Sequence, residues 1–396
     1  MPKAAAPADP RAKLATEIAK VEAKIGKGMI HRASDDPPVY HLPFNNPHLN
    51  YATQGGVPWN RFVALYGDES TGKTLAALEL VANAQALPAS AERLIVPRIK
   101  YHRAHGDIIV VARLEEELEW IKDHFPDGAE CLWHDIEGQL DKERAAQLGV
   151  DTDRLYISES NVIEDIGVVL PFGYVNYHLQ VLDSTSAATS NLSLKQEPGK
   201  SLVGTDARQW KAVIRDSKAY FGPAKNGGIP NMVIMIHQMS TNVRTGGGQP
   251  MSTRFLRHES SCSMRFTRGK FLYLKDGVLR EDKPEGADER SMAGMVEPDG
   301  LEVYAKVEKS RTSRPFLVGS MQFDYKTLRY THIHELATSG LYYNMIVKNG
   351  TWYSYVDEDG ELQKMGQGLK MVYQHLAGDQ DLQDRIYARL MDHARP

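Results

Sequence analysis

The sequence predicts an α/β protein with a mostly parallel central sheet, a short N-terminal helix and a small α/β domain at the C-terminus. Three observations carry that prediction. Apolar runs of strand length alternate with helix-period segments between about residue 50 and residue 320. One such strand, residues 62–66, leads directly into a glycine-rich turn that opens a helical run. Beyond about residue 330 the pattern changes to an aromatic strand, a turn and two short helices. The division that follows is a tail and helix for subunit packing at 1–50, a core at 51–328 with an insert at 88–130, and a small domain at 329–396.

Each element has its own signal. Asp9-Pro10 reads as an N-cap followed by proline at the first helical position, and Leu14, Ile18, Val21 and Ile25 repeat at helical spacing until Gly26 and Gly28. Such a stripe packs either on the chain's own core or on a neighbouring subunit. Core strands are expected at 62–66, 131–136, 155–157, 178–182, 232–236 and 263–265. The insert holds an extra strand at 107–112 and an acidic amphipathic stretch at 114–125. Residues 276–300, with Asp276-Gly277, Glu285-Gly286 and Asp299-Gly300, read as a hairpin or exposed loop. Trp352-Tyr353-Ser354-Tyr355-Val356 is the aromatic strand, Asp359-Gly360 a turn, and 366–377 and 380–392 the two helices.

Composition sets the outer bounds. At 42% hydrophobic and 25% charged, the 396 residues have the balance of an ordinary soluble protein. No run of about eighteen apolar residues is present, so neither a spanning helix nor a membrane partner is expected. The N-terminus lacks an apolar signal core, and Cys131 and Cys262 stand in unrelated contexts. A reducing, cytoplasmic setting without disulfides or a zinc site is expected. With 47 Lys and Arg against 51 Asp and Glu, the net charge is −4, so any nucleic-acid site must be a local basic lining.

Gly67-Asp68-Glu69-Ser70-Thr71-Gly72-Lys73-Thr74 satisfies G-x-x-x-x-G-K-[ST] between a strand and a helix, the context a phosphate-binding loop requires. Its glycines let backbone N–H groups turn inward around a β-phosphate, and the helix N-terminus adds partial positive charge. Lys73 would bridge the β- and γ-phosphates of ATP, and the Thr74 hydroxyl would hold Mg²⁺. The strand that ends in Asp183 offers a second carboxylate, placed to hold a metal-bound water. Glu137 and Asp135, at the end of another strand, compete as the base that orients an attacking water.

Several segments taken together resemble the bacterial RecA recombinase family. The loop resembles that family's G-P-E-S-S-G-K-T, and Ile25-Gly26-Lys27-Gly28 its F-G-K-G. Asp135-Ile136-Glu137, Leu140-Asp141 and Leu148-Gly149-Val150-Asp151 are similar to D-A-E-H-A-L-D…L-G-V-D. Leu182-Asp183-Ser184 resembles V-D-S, Ile236-His237-Gln238 resembles I-N-Q, and Trp352–Tyr355 with Gly366-Gln367-Gly368 resemble W-Y-S-Y and G-Q-G. The matches are collinear from about residue 13 to residue 390.

The resemblance implies a RecA-like P-loop ATPase core, and it selects Glu137 over Asp135 as the water-polarising carboxylate. It implies that Gln238 senses the γ-phosphate, that Asp141 lies near adenine, and that Arg144 stands where a tyrosine usually stacks on the base. Lys309-Ser310-Arg311 falls on a motif whose cations reach ATP in the adjacent subunit, so Lys309 and Arg311 are implied to act in trans. It further implies a homo-oligomeric helical filament on single-stranded DNA that pairs with homologous duplex DNA.

Two loops carry the implied DNA contacts. The first includes Lys200, Ser201, Val203, Gly204 and Arg208, with Val203 at the place of a wedging methionine. The second includes Val243, Arg244, Gly246, Gly247 and Arg254, with Ser240 replacing a basic residue just after the glutamine. Contacts to phosphates would make binding sequence-tolerant and salt-sensitive. Residues 88–130 exceed the family's usual short connection, and the chain ends at Arg395-Pro396 without the acidic tail of cellular members, which suggests a specialised, phage-type member. Two other readings share these features: a hexameric RecA-fold helicase, and an ATP-regulated DNA-coating protein that barely hydrolyses.

Overall fold

The computed structural model describes residues 10–26, 29–30, 32, 38–196, 204–222, 225, 227–239, 258–282, 296–357 and 359–394. Helix α1 (Pro10–Ile25) is followed by β1 (His41–Leu42), α2 (Pro47–Thr53) and β2 (Val57–Pro58). The core then begins with β3 (Phe62–Gly67) and α3 (Lys73–Gln85), and the insert follows as α4 (Ala89–Ala104) and α5 (Ile108–His124). Next come β4 (Cys131–Asp135), α6 (Lys142–Gln147), β5 (Leu155–Ser158), α7 (Ile163–Asn176) and β6 (Leu179–Asp183). The single turn α8 (Asn191–Leu194), α9 (Thr205–Ser217) and β7 (Met232–Gln238) complete the alternating part. Strands β8 (Cys262–Lys275), β9 (Val278–Arg280), β10 (Gly300–Ser310), β11 (Val318–Asp324) and β12 (Arg329–Tyr330) succeed it. The C-terminal part holds α10 (Ile333–Tyr342), β13 (Ile346–Asn349), β14 (Trp352–Val356), β15 (Leu362–Gln367), α11 (Leu369–Gly378) and α12 (Gln380–His393).

The main sheet has the order β12-β11-β10-β8-β3-β7-β6-β4-β5, with β9 hairpinned onto β8. From β8 to β5 the strands are parallel; β10, β11 and β12 extend the other edge antiparallel. Strand β3 shows why a parallel centre forms. Val63 and Leu65 enter the core under α3, while Phe62 and Ala64 enter the core under α7 and α9, so both faces of the strand are buried. Helix α3 is correspondingly buried all round, with Thr74 alone of its thirteen residues outside the buried set.

The insert departs from expectation. Residues 107–112 are not a strand: Asp107 caps α5 by accepting a hydrogen bond from the Val110 N–H at 3.2 Å, and the helix continues to His124. The run Ile108-Ile109-Val110-Val111 is β-branched and reads locally as strand. Helical periodicity wins because Val111, Leu114 and Ile121 then share one buried face, while Ile108 and Ile109 stay exposed at the tip. Leu94 of α4 enters a third core made by α10–α12 and the β13–β15 sheet, so the hairpin touches both the main core and the C-terminal part. Asp276 and Gly277, both at positive φ, turn β8 into β9 as expected. Asp9, Lys27, Gly28 and Glu285-Gly286 lie outside the described residues.

Cys131 and Cys262 are both buried and free. Among the described residues, no helix is long and apolar enough to cross a membrane.

Candidate functional site

The parallel strands deliver their C-terminal ends to one edge of the sheet, and the phosphate loop springs from there. Strand β3 ends at Gly67, where a Cβ would come within 2.0 Å of the Phe266 carbonyl oxygen on β8. Ser70 takes a left-handed conformation, φ 55°, and Gly72 does so at φ 78° as the residue that opens α3. A Cβ on Gly72 would lie 2.1 Å from the hydroxyl of Tyr330. That hydroxyl is hydrogen-bonded to the carbonyls of Thr71 and Gly72, both at 3.1 Å, so β12 braces the loop from behind.

Lys73 is 5% exposed, and its ammonium donates to the Asp68 carbonyl at 2.5 Å. Burial lowers its pKa, against the opposing pull of Asp183, Asp68, Glu137 and Glu69. A buried ammonium held by a neutral loop carbonyl is matched to an anion entering that loop. Thr74 donates to Asp183 at 3.0 Å. Burial, then the nearby Glu137 and Asp135, push the Asp183 carboxyl up to about 6, while the Thr74 hydrogen bond and Lys73 restrain it. A hydroxyl and a carboxylate paired beside a phosphate loop are the hard oxygen donors that Mg²⁺ takes. The loop and this pair therefore fit a nucleoside triphosphate with its Mg²⁺.

Glu137 and Asp135 are distinguished by what they touch. Both Asp135 oxygens are occupied by the backbone N–H groups of Gln139 and Leu140, at 3.0 and 3.1 Å, so this carboxylate shapes the turn after β4. Glu137 instead reaches across to the ends of β6 and β7. Its Oε1 accepts from the Ser184 hydroxyl and, at 3.1 Å, from the Gln238 side-chain amide. Ser186 accepts from the Gln238 backbone N–H at 3.1 Å and is hydrogen-bonded to Ser184 at 2.7 Å. His237, held by Thr185 at 3.0 Å, is kept neutral with a pKa near 4 by burial and by Lys73.

Lys73, Thr74, Asp135, Glu137, Asp183, Ser186 and Gln238 line a cavity of about 1000 Å³ together with Glu69, Ser70, Asp141 and Arg144. Asp141 also caps α6 by accepting from the Arg144 N–H at 3.0 Å. Tyr325 and Leu328, in the turn between β11 and β12, line the same cavity and were not singled out from the sequence. Ser184 and Ser186 were likewise missed as partners of Glu137 and Gln238, and Tyr330 as the loop's brace. The signal for the serines was present, since they stand one and three residues after Asp183. A turn tyrosine has no spacing signature that ties it to a loop far upstream.

Lys309 and Arg311 lie elsewhere. Strand β10 is antiparallel to β8, so its end, Lys309 and Ser310, pairs with Ser263 and Cys262, while Gly67 sits level with Phe266. The Arg311 N–H donates to Ser261, whose own N–H donates to Phe62, at the opposite end of β3 from Gly67. Five residues of strand put these cations roughly 17 Å from the chain's own phosphate loop. Lys309 rests on the carbonyls of Ser260 and His258, at 2.7 and 3.3 Å, whereas Arg311 is exposed.

Of the expected DNA contacts, Gly204 takes φ 82° at the start of α9, and Arg208 is exposed on that helix's first turn. Asp206 fastens Ser190 and Ser193 with hydrogen bonds of 2.6–2.9 Å, tying α8 to α9. Lys200, Ser201, Val203, Ser240, Val243, Arg244, Gly246, Gly247 and Arg254 lie outside the described residues.

Two family models match the chain: RecA N-terminal domain over residues 12–94, and RecA C-terminal domain over residues 334–395. Protein RecA of Cutibacterium acnes is 28% identical over 399 residues, covering 98% of this chain and 94% of that protein. Protein RecA of Frankia casuarinae is 26% identical over 383 residues, covering 95% and 90%, and that of Kineococcus radiotolerans 26% over 395 residues, covering 98% and 93%. These relatives are bacterial and lend the phage reading no support.

Proposed function

The chain belongs to the RecA family of recombinases, and from that premise we propose that it hydrolyses ATP while assembling as a helical filament on single-stranded DNA, where it pairs and exchanges homologous strands. The observation that carries the reading is the division of the nucleotide site. The loop, the Mg²⁺ donors Thr74 and Asp183, and Glu137 stand at one end of the sheet, while Lys309 and Arg311 stand at the other. A cation from one copy can serve only the nucleotide of another, so hydrolysis depends on assembly.

Bound Mg²⁺ would neutralise charge on the β- and γ-phosphates. Lys73 then leaves the Asp68 carbonyl for a phosphate oxygen. Glu137, oriented by Ser184, accepts the proton of the attacking water. The Gln238 amide, now donating to Glu137, transfers to a γ-phosphate oxygen when one is present and returns after hydrolysis. Gln238 ends β7, and residues 241–254, the proposed second DNA segment, follow it almost directly. Nucleotide state is thereby coupled to DNA affinity. Asp141, Arg144 and Tyr325 would receive the base, and Arg208 with the 200–203 segment would contact DNA phosphates. The exposed stripe Leu14, Val21 and Ile25 on α1 would seat on the exposed Val168, Phe172 and Val175 of a neighbouring copy's α7. The site of action is the cytoplasm.

Mixing tests the division directly. Lys73→Ala subunits lack a working loop, and Arg311→Ala subunits lack the donated cation; each alone should have under a tenth of the DNA-stimulated ATPase, by the usual weight of such groups. An equimolar mixture should recover a substantial fraction of it, because Lys73→Ala copies present Arg311 to intact loops. Silence of the mixture, with each variant still binding DNA, would refute a site shared between copies. Negative-stain microscopy on single-stranded DNA with a slowly hydrolysed ATP analogue should show filaments; discrete rings would point to a hexameric motor.

A further inference from the structure

The hairpin α4–α5 does more than lengthen the chain. Together with the 38–43 segment, the turn between β10 and β11, and α12, it walls a second cavity of about 560 Å³. Four arginines line it: Arg98 of α4, Arg113 of α5, and Arg311 and Arg314 of the turn. Among the described residues, Glu117 is the one carboxylate in the lining.

Arg98 is only 8% exposed, and its Nε is sealed from solvent without a hydrogen-bond partner. None of the four guanidinium groups has an ion pair among the described residues. The Nε2 of His41, in the same wall, is also buried without a partner. Burial first, then the positive charge of Arg98, Arg113 and Arg61, hold this imidazole near pKa 4, so it adds no charge at neutral pH. Like charges gathered around a concave space, one of them almost wholly desolvated, are costly unless an anion completes them. Four guanidiniums against one carboxylate leave an excess of three positive charges, more than a single carboxylate would balance. A chain of phosphoryl groups matches it, because guanidinium forks pair bidentately with phosphate oxygens. The volume suits a small molecule and is too confined for duplex DNA.

We propose that the hairpin and the β10–β11 turn form a second oxyanion site, which takes the phosphoryl chain of a small molecule. Arg98 is its buried anchor, and Arg113 and Arg314 close it from the solvent side. That chain comes either from a free phosphorylated compound or from the nucleotide tail presented by a neighbouring copy, since Arg311 faces both this cavity and the copy it is proposed to serve.

The probe is inorganic tripolyphosphate, titrated calorimetrically into full-length Lys73→Ala protein, so that the phosphate loop does not contribute. Dilution to single subunits, verified by light scattering, removes any neighbour. Saturable one-site binding should weaken roughly tenfold or more in Arg113→Ala and in Arg314→Ala, and stay unchanged in Arg103→Ala, by the usual worth of a charge-assisted hydrogen bond. Arg113 and Arg314 are exposed, so their removal leaves folding intact, which thermal unfolding verifies. Such a result assigns a free phosphorylated ligand. If single subunits take up no tripolyphosphate, the second arm uses protein with an intact phosphate loop and a slowly hydrolysed ATP analogue. Arg113→Ala and Arg314→Ala should then each raise the analogue concentration for half-maximal assembly about tenfold or more, which assigns the neighbour's nucleotide. Binding that ignores both substitutions, or no effect in either arm, overturns the proposal. The first arm needs neither DNA nor assembly, so its failure and that of the proposed ATPase are separable.

Discussion

Replacing Tyr330 by phenylalanine isolates one feature of the site, the brace behind the phosphate loop. The ring is buried and stays in place; only the hydroxyl between the Thr71 and Gly72 carbonyls is lost. One proton is shared between two acceptors, so a single buried hydrogen bond is removed rather than two. A buried acceptor left without its donor costs about 1–3 kcal/mol, and the lower half of that range applies because two carbonyls divide the loss. The loop can escape part of the penalty by relaxing. Since relaxation disperses the N–H groups that should converge on phosphate, the cost reappears as weaker nucleotide binding. With about 1.4 kcal/mol per decade, the dissociation constant for an ATP analogue should rise about five- to twenty-five-fold. Turnover at saturation should change less than about twofold, because Tyr330 touches neither Glu137 nor Gln238 and its loss acts through ground-state binding. Equilibrium titration with a fluorescent analogue reads the first quantity and a coupled ATPase assay the second. Unchanged affinity accompanied by a lower unfolding temperature would refute the argument and leave Tyr330 as core packing alone.

Other substitutions test other parts. Glu137→Gln keeps an acceptor for Ser184 but removes the base; turnover should fall about a hundredfold or more, with ATP-bound filaments accumulating on DNA under the microscope. Normal turnover would return the role to Asp135. Lys73→Ala should abolish nucleotide-dependent DNA binding in a polarisation assay, and full retention would sink the nucleotide reading. Glu335 is buried, its pKa is pushed up to about 8, and it is hydrogen-bonded to the Gln322 N–H and the Thr331 hydroxyl. Because the folded state binds its proton more tightly than the unfolded state, stability falls as pH rises from 4.5 to about 8. Glu335→Gln should flatten that fall by roughly 2–4 kcal/mol in urea titrations, since the window spans several units at about 1.4 kcal/mol each. Glu79, pushed up to about 7 by burial, has the same sign, so a residual slope should remain. An identical slope in the variant would mean that Glu335 is already ionised in the folded chain.

What the sequence disclosed follows from how local each signal is. The phosphate loop was legible because strand, glycine turn and helix are contiguous, and the structure adds only the close approaches that demand Gly67 and Gly72. The alternation of Phe62, Val63, Ala64 and Leu65 between two cores is a continuous apolar run in the sequence and reads directly as a buried strand. The 107–112 segment misled because its β-branched residues satisfy strand propensity, while the helical period shows only further on, at Leu114 and Ile121. Tyr325 and Tyr330 were illegible for another reason. The antiparallel edge β10–β12 folds back beside β8, and no pattern within the edge records which loop it will meet. The arginine cavity is similar, since Arg98, Arg113 and Arg314 become neighbours only through the hairpin's docking. Between Glu137 and Asp135 the sequence offered resemblance alone; the hydrogen bonds that occupy both Asp135 oxygens add a physical argument to the proposal of Glu137.

The polarity of the sheet bears on how copies can join. A contact that delivers Arg311 to another copy's phosphate loop matches two unlike surfaces, the N-terminal end of β3 with the C-terminal end of the same strand. A two-fold axis pairs a patch with itself and cannot make this contact; a head-to-tail repeat can. The α1 stripe and the α7 patch, proposed above to meet across copies, are different exposed surfaces, and their pairing would obey the same logic. Both pairs therefore ask for the same operator, a rotation with translation that either closes into a ring or runs on as a helix. The connection between α1 and the core permits either solution. The chain from Ile25 to His41 can span at most about 50 Å when extended, so α1 can follow a neighbour displaced along an axis as well as one related by pure rotation. In that arrangement each nucleotide lies between two copies, and the arginine cavity built by α4 and α5 borders the face that donates Arg311. An anion held there would act on every junction of the proposed repeat, because each copy carries the same three arginines beside Arg311.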